Sequence, residues 1–139
     1  MSYEIRRVGP ADTALFDKIA PEVFDEPIRA ERLAAYLAEP GHHLVVALAD
    51  GQVVGQCEGV ILRHPDKSAQ LFIDEIGTAL GYRRRGVARA MMRAMMDWGR
   101  ELGCEEVWVG TEPDNRPARG LYGSFGLPEQ EVIIYEGDL

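Results

Sequence analysis

The sequence predicts an α/β domain, and two observations carry that prediction. Short apolar runs with strand character alternate with stretches whose apolar residues recur every three or four positions, in the order β-α-α-β-β-β-α-β-α-β. The sharpest change of period falls between a strand-like run at 71–79 and a helix-like run at 87–102. It is bridged by a turn dense in arginine and small residues, Tyr82-Arg83-Arg84-Arg85-Gly86-Val87-Ala88-Arg89. The 139 residues suit one domain, 1–139, and 46% of them are apolar, enough for a core.

Each element has a local reason. Residues 3–8 alternate loosely as a first strand, stopped by Gly9-Pro10. Residues 11–20 read as a helix with Leu15, Phe16 and Ile19 on one face, Asp12 placed as its cap and Pro21 as its end. A turn-rich stretch carrying Glu22, Asp25 and Glu26 follows. A second helix, 28–38, turns Leu33, Tyr36 and Leu37 inward and stops at Pro40-Gly41. Residues 44–49 and 53–62 form a hairpin about Asp50-Gly51, a pair suited to a type I′ turn. Gly55 and Gly59 mark expected bulges in its second strand.

After a polar loop at 63–68 come the strand at 71–79, the arginine turn and the long helix. In that helix Val87, Met91, Met95, Trp98 and Leu102 form one apolar stripe, with Gly103 as the C-terminal cap. A strand at 106–111 leads through Glu112-Pro113-Asp114 to Asn115, a credible N-cap. A short helix at 116–124 and a last strand at 131–136, containing Val132-Ile133-Ile134-Tyr135, complete the order.

Composition narrows the function. No apolar run approaches the length of a membrane span and no secretory leader is evident, so a cytoplasmic protein is expected. The two cysteines, Cys57 and Cys104, and three histidines form no metal-ligand spacing; no metal is expected. The net charge of −8 argues against nucleic acid as a partner and suits a cationic substrate. Against that background, Arg83, Arg84, Arg85, Arg89 and Arg93 concentrate +5 within eleven residues. The first N–H groups of a helix lack intrahelical partners, and the helix dipole is positive there. With Gly86 and Ala88 allowing close approach, the turn is a ready phosphate site.

Arg83-x-x-Gly86-x-Ala88 resembles the pyrophosphate-binding signature of the GNAT acyltransferases, [QR]-x-x-G-x-[GA]. Asn115-x-x-Ala118-x-x-Leu121-Tyr122-x-x-x-Gly126-Leu127 resembles the family's second signature, one helix and one strand downstream. The resemblance spans about half the chain, roughly 71–127, and implies a twisted mixed sheet with helices on both faces. It also implies acetyl-coenzyme A as cosubstrate and an amine as acceptor. The family commonly ends in two strands. Here only about a dozen residues follow Gly126, so an exposed sheet edge covered by a second subunit, a homodimer, is expected.

Transfer of an acetyl group to an amine needs the thioester held, its carbonyl polarised, the amine deprotonated and the departing thiolate reprotonated. The resemblance assigns phosphate binding to Arg83, Arg84, Arg85, Gly86, Val87, Ala88 and Arg89. It assigns backbone contacts with the pantetheine arm and acyl oxygen to the strand end at Ile76, Gly77 and Thr78. Asn115 and Ala118 fall at cofactor-contacting positions, although Asn115 also serves as a helix cap. Tyr122 is the candidate proton donor to sulfur; its alternative is packing in the cofactor groove. Glu75 stands where the aminoglycoside 3-N-acetyltransferases of the superfamily carry an aspartate, and is the candidate base; its alternative is a partner for a nearby arginine. Asp74 is second to it, because neighbours on a strand face opposite ways. The glutamate of histone-acetyltransferase relatives is replaced here by Phe72. Asp25, Glu26, Asp74 and Glu112 are candidate acceptor contacts, or ordinary surface charge. A small cationic amine, of aminoglycoside or polyamine type, is the leading acceptor. A protein N-terminus or lysine, and a non-catalytic acyl-coenzyme A sensor, are the alternatives.

Overall fold

The computed structural model describes residues 2–139. Its five strands lie in one sheet in chain order: β1 (Glu4–Arg7), β2 (His42–Ala49), β3 (Gln52–Leu62), β4 (Gln70–Thr78) and β5 (Glu106–Val109). The first four pair antiparallel and β5 joins β4 in parallel, so the sheet is mixed. A parallel neighbour requires a crossover, and helix α2 (Val87–Glu101) supplies it. Helix α1 (Ala30–Ala38) lies on the other face, and α3 (Arg116–Gly123) follows β5.

The sheet and α2 share the core. Met91, Met92 and Met95 are fully buried, as are Val45, Val46, Ala47 and Val53 in the hairpin. Leu44 to Ala47 are buried without alternation, as a strand covered on both faces must be. Asp50 (φ 52°) and Gly51 (φ 72°) both turn left-handed, the geometry a type I′ turn demands. Gly55 and Gly59 have a different reason from the one expected. A Cβ on Gly55 would stand 2.9 Å from Met91 Cε, and one on Gly59 would stand 2.6 Å from Met95 Sδ. These glycines make room for the helix. The bulges fall next to them, at Val54 on β3 and at Asp74 on β4, where the pairing registers slip. At the far end of α2, Gly103 (φ 90°) donates to the Arg100 carbonyl and Cys104 to the Gly99 carbonyl, closing a Schellman cap. Leu102 lies beyond the last turn and is exposed, so the buried stripe ends short of it.

Two expected elements are absent. The helix at 11–20 is reduced to a 3-10 turn at Thr13–Asp17. Pro21 pushes the residue before it out of helical geometry. Residues 18–20 run extended instead and bond to Val53: its N–H donates to the Lys18 carbonyl, and Ala20 N–H donates to the Val53 carbonyl. Asp12 accordingly caps no helix; its Oδ2 accepts from Gly9 N–H at 2.7 Å. The strand at 131–136 does not form either: residues 128–139 have no regular structure, and Val132 to Tyr135 are 74–92% exposed.

Candidate active site

The arginine turn joins β4 to α2 through a sharp change of direction. Arg84 (φ 61°) and Gly86 (φ 80°) are left-handed, which swings the chain abruptly from β4 into α2. Gly86 is the N-cap and no side chain caps the helix; the first intrahelical bond runs from Ala90 to the Gly86 carbonyl. The amides of Val87, Ala88 and Arg89 therefore precede the first helical bond, at the positive end of the dipole, where they can receive an anion. Arg83 Nε donates to the Thr78 carbonyl at 3.0 Å and ties the turn to the end of β4. Arg89 donates to Ser124 Oγ and lies 4.7 Å from the Phe125 ring centroid, joined there by Arg93 at 5.2 Å. These cation–aromatic contacts hold α2 and the end of α3 together.

A gap opens beside this turn. β5 pairs with β4 only from Gln70 to Ile73, while β3 follows β4 on its other edge as far as Thr78. From Asp74 to Thr78, then, β4 carries no strand on the β5 side. Its backbone groups there, Ile76 and Gly77 among them, can pair with an extended ligand arm. Tyr122 on α3 is half-buried. Burial pushes its phenol up, helped by the Cys57 thiol, so it stays protonated at neutral pH. Asn115 caps α3, its Oδ1 accepting from Ala118 N–H at 3.2 Å. Capping takes up the Ala118 amide. Gly77 has a second constraint: a Cβ there would overlap the Val23 carbonyl oxygen. Val23, in the loop before α1, is thus seated directly on β4, and Gln56 Nε2 donates to the same oxygen at 3.4 Å.

The carboxylates gather on the α1 face. Strand alternation would send Glu75 to the α2 face with Leu71 and Ile73. The bulge at Asp74 reverses that parity and sets Glu75 directly across from Glu58 of β3. The alternation expected to separate Asp74 from Glu75 is thereby broken, and both act on Glu58. Glu58 is mostly buried; burial first, then a hydrogen bond with Glu75 and the charges of Glu75, Asp74 and Asp25, pushes its ionisation up to about 8. Burial also raises Glu75, with Asp25 as a hydrogen-bonding neighbour, while the bond from Glu58 opposes the rise. Both carboxyls are thus harder to ionise than an exposed glutamate, and the hydrogen bond between them needs a proton. Tyr36 of α1 is pushed up by burial and then by the charges of Glu58, Asp74 and Glu75. Glu58 lines a cleft of about 170 Å³ together with Phe16, Phe24, Ile28, Leu33 and Tyr36 and two arginines, Arg29 and Arg32.

Of the residues expected at the site, Asp25, Asp74 and Glu75 come together, Ile76, Gly77 and Thr78 lie on the stretch of β4 that β5 leaves unpaired, the arginine turn follows it, and Tyr122 stands half-buried on α3. Glu26 and Glu112 are exposed, and the interactions of the carboxyl cluster do not reach them. Glu58 was missed. Its signal was present: a charge at the centre of an otherwise apolar strand, two residues from Gln56, marks a polar strip on one face of a buried strand. Among the described residues no cluster of histidine, cysteine and acidic groups is suited to a metal.

The profile of the Acetyltransferase (GNAT) family matches residues 13–127, and the chain belongs to that family. It is 29% identical over 116 residues to the aminoglycoside N(6′)-acetyltransferase type 1 of Salmonella typhimurium, covering 80% of this chain and 73% of that one. The structure superposes on an aminoglycoside acetyltransferase from an uncultured soil metagenomic sample with a TM-score of 0.84, at 22% identity, across 100% and 99% of the two chains. It superposes on AAC(6′)-Iy in complex with the bisubstrate analogue coenzyme A-S-monomethyl-acetylneamine with a TM-score of 0.78, at 23% identity, across the whole of both chains. The first and third of these are named for the 6′ position, where the resemblance of the sequence had leaned to the 3-N subgroup. The protein is a GNAT N-acetyltransferase, and acetyl-coenzyme A is its expected cosubstrate.

Proposed function

We propose that the protein acetylates a primary amine on a small polycationic acceptor of the aminoglycoside kind, using acetyl-coenzyme A. The carrying observation is the set of four carboxyls, Asp25, Glu58, Asp74 and Glu75, gathered beside the unpaired end of β4 with a proton shared inside it. Such a set attracts an acceptor bearing several ammonium groups. The similarity to aminoglycoside acetyltransferases supports the same reading.

Bound acetyl-coenzyme A supplies the thioester carbonyl; the residues supply the rest. The amides of Val87, Ala88 and Arg89, with Gly86 leaving the approach open and Arg83, Arg84 and Arg85 adding charge, hold the pyrophosphate. Ile76, Gly77 and Thr78 align the pantetheine arm along the open edge, and Asn115 with Ala118 flanks it. Glu75, with Asp25 and Asp74, holds the acceptor ammonium. Once Glu58 has lost its own proton, the Glu58–Glu75 pair can accept the one the amine must shed before it attacks. Tyr122, kept protonated by burial, returns a proton to the departing sulfur. The enzyme works in the cytoplasm as a homodimer and needs neither nucleic acid nor a membrane. Among the described residues no helix is long and apolar enough to cross a bilayer.

Thiol release from acetyl-coenzyme A, measured across aminoglycosides, polyamines, amino acids and short peptides, tests this. The expected result is turnover on aminoglycosides, with the acetylated position read from the product by NMR. Turnover confined to peptides, or coenzyme A binding without turnover on any amine, would contradict it.

A further inference from the structure

The cleft beside Glu58 has walls that a polycationic acceptor does not use. Phe16 and Leu33 are buried in it, and Phe24 and Ile28 pack against the core beside them. The rings of Phe16 and Phe24 stand 6.3 Å apart, tilted by 56°. An apolar cavity of about 150 Å³ takes up benzene. The volume of about 170 Å³ here therefore has room for a single aromatic ring.

Charges of opposite sign bound this apolar space. Glu58 is mostly buried and belongs to the carboxyl cluster. Arg29 and Arg32 are exposed and so stand at the mouth. Arg29 is the N-cap of α1 and Arg32 lies in its first turn, at the positive end of the helix dipole, where a cation is unfavourable. Glu31 shares that turn but pairs with neither. Among the described residues, neither guanidinium has an ion-pair or hydrogen-bond partner. Two unpartnered cations against the dipole, at the rim of an apolar cleft, suit an anion that arrives with a ligand.

We propose that the cleft takes a second class of acceptor: a primary amine on a single aromatic ring with a carboxylate at the opposite end. The amine points to Glu58 and Glu75, the ring lies against Phe24, Ile28 and Leu33, and the carboxylate meets Arg29 and Arg32. Acid inside and base outside match such a molecule and oppose one cationic at both ends. The chemistry is the same transfer. The amine nitrogen bonds to the acetyl carbon as the carbon–sulfur bond breaks; the amine's proton passes to the carboxyl pair, and Tyr122 gives a proton to sulfur. The inference rests on the reading of Glu58 and Glu75 as the pair that receives the amine. It goes beyond the polycationic acceptor, whose further ammonium groups belong at Asp25 and Asp74 rather than at the arginines.

Three amines of one shape test it: 4-(aminomethyl)benzoate, benzylamine and 4-(trimethylammoniomethyl)benzylamine. They carry an anion, no charge or a cation opposite the reacting group. Thiol release from acetyl-coenzyme A gives kcat/KM for each, beside an aminoglycoside, in wild type and in the double variant Arg29→Glu with Arg32→Glu. The wild type should favour the carboxylate over benzylamine by about five- to tenfold, and benzylamine over the cation. That preference should shrink as salt is raised. The double variant should invert the order, which a loss of folding cannot do. Equal use of all three by the wild type, or an order that survives in the variant, would overturn the proposal. Turnover of the aminoglycoside with none on the ring amines would overturn it and leave the aminoglycoside reading standing. Turnover of the ring amines alone, in the expected order, would support it and remove the aminoglycoside reading. Coenzyme A binding with no turnover of any amine would remove both.

Discussion

A glutamate in the middle strand of a sheet is costly to ionise unless something shares or offsets its charge. Glu58 meets that cost by keeping its proton, and this has a stability consequence. Its ionisation is pushed from an ordinary value near 4.5 to about 8. Between those values the folded chain holds a proton that the unfolded chain has released, so stability falls as pH rises through that window, and the penalty is complete above it. Glu58→Gln removes the penalty. Its advantage in chemical denaturation should be near zero at pH 4 and grow to about 1–2 kcal/mol by pH 8.5, a figure reduced for the partial solvent access of the cleft. Tyr122 is the other residue with a defined duty. Because burial already keeps its phenol protonated, Tyr122→Phe should lower kcat by about 10²-fold and leave the KM for acetyl-coenzyme A nearly unchanged, as steady-state kinetics will show. A fall in cofactor affinity at unchanged kcat would instead mark Tyr122 as a wall of the groove.

At the scale of elements, the site depends on backbone fitting against backbone. The loop before α1 rests on β4 because Gly77 has no side chain, and that loop carries Asp25 to the carboxyl cluster. Gly77→Ala must displace the Val23 carbonyl, since backbone cannot rotate away as a side-chain tip can. The change should cost about 1–3 kcal/mol in thermal or urea unfolding and should raise the acceptor KM more than the coenzyme A KM. Gly103→Ala, at φ 90° in the cap of α2, tests the same element far from the site. It should cost about 1 kcal/mol and leave both KM values alone.

Much of the whole molecule was legible from the chain. The hairpin at Asp50-Gly51, the long helix with its methionines and the anion-ready turn each rest on local chemistry, and local chemistry is written in order. What was not legible depends on residues distant in sequence. The helix expected at 11–20 lost to pairing of Lys18 and Ala20 with Val53, and nothing near position 18 records that partner. The bulge at Asp74 exists only relative to β3, so alternation misjudged Asp74 and Glu75. The C-terminal run reads as a strand by composition, but residues 131–136 take no regular structure. Glu58 was legible in principle and overlooked, because an isolated charge in a strand draws less notice than a cluster of arginines.

All of these scales meet in the claim that the Glu58–Glu75 pair receives the acceptor amine. The most direct measurement is kcat/KM for an aminoglycoside acceptor against pH, from 6 to 9.5, in wild type and in Glu58→Gln. The wild-type profile should rise through a limb near pH 8 as Glu58 gives up its proton. Glu58→Gln should lose that limb and fall by about 10²-fold at its upper end. A variant that keeps both the limb and the rate would contradict the account, because the proton would then leave by a route that does not involve Glu58.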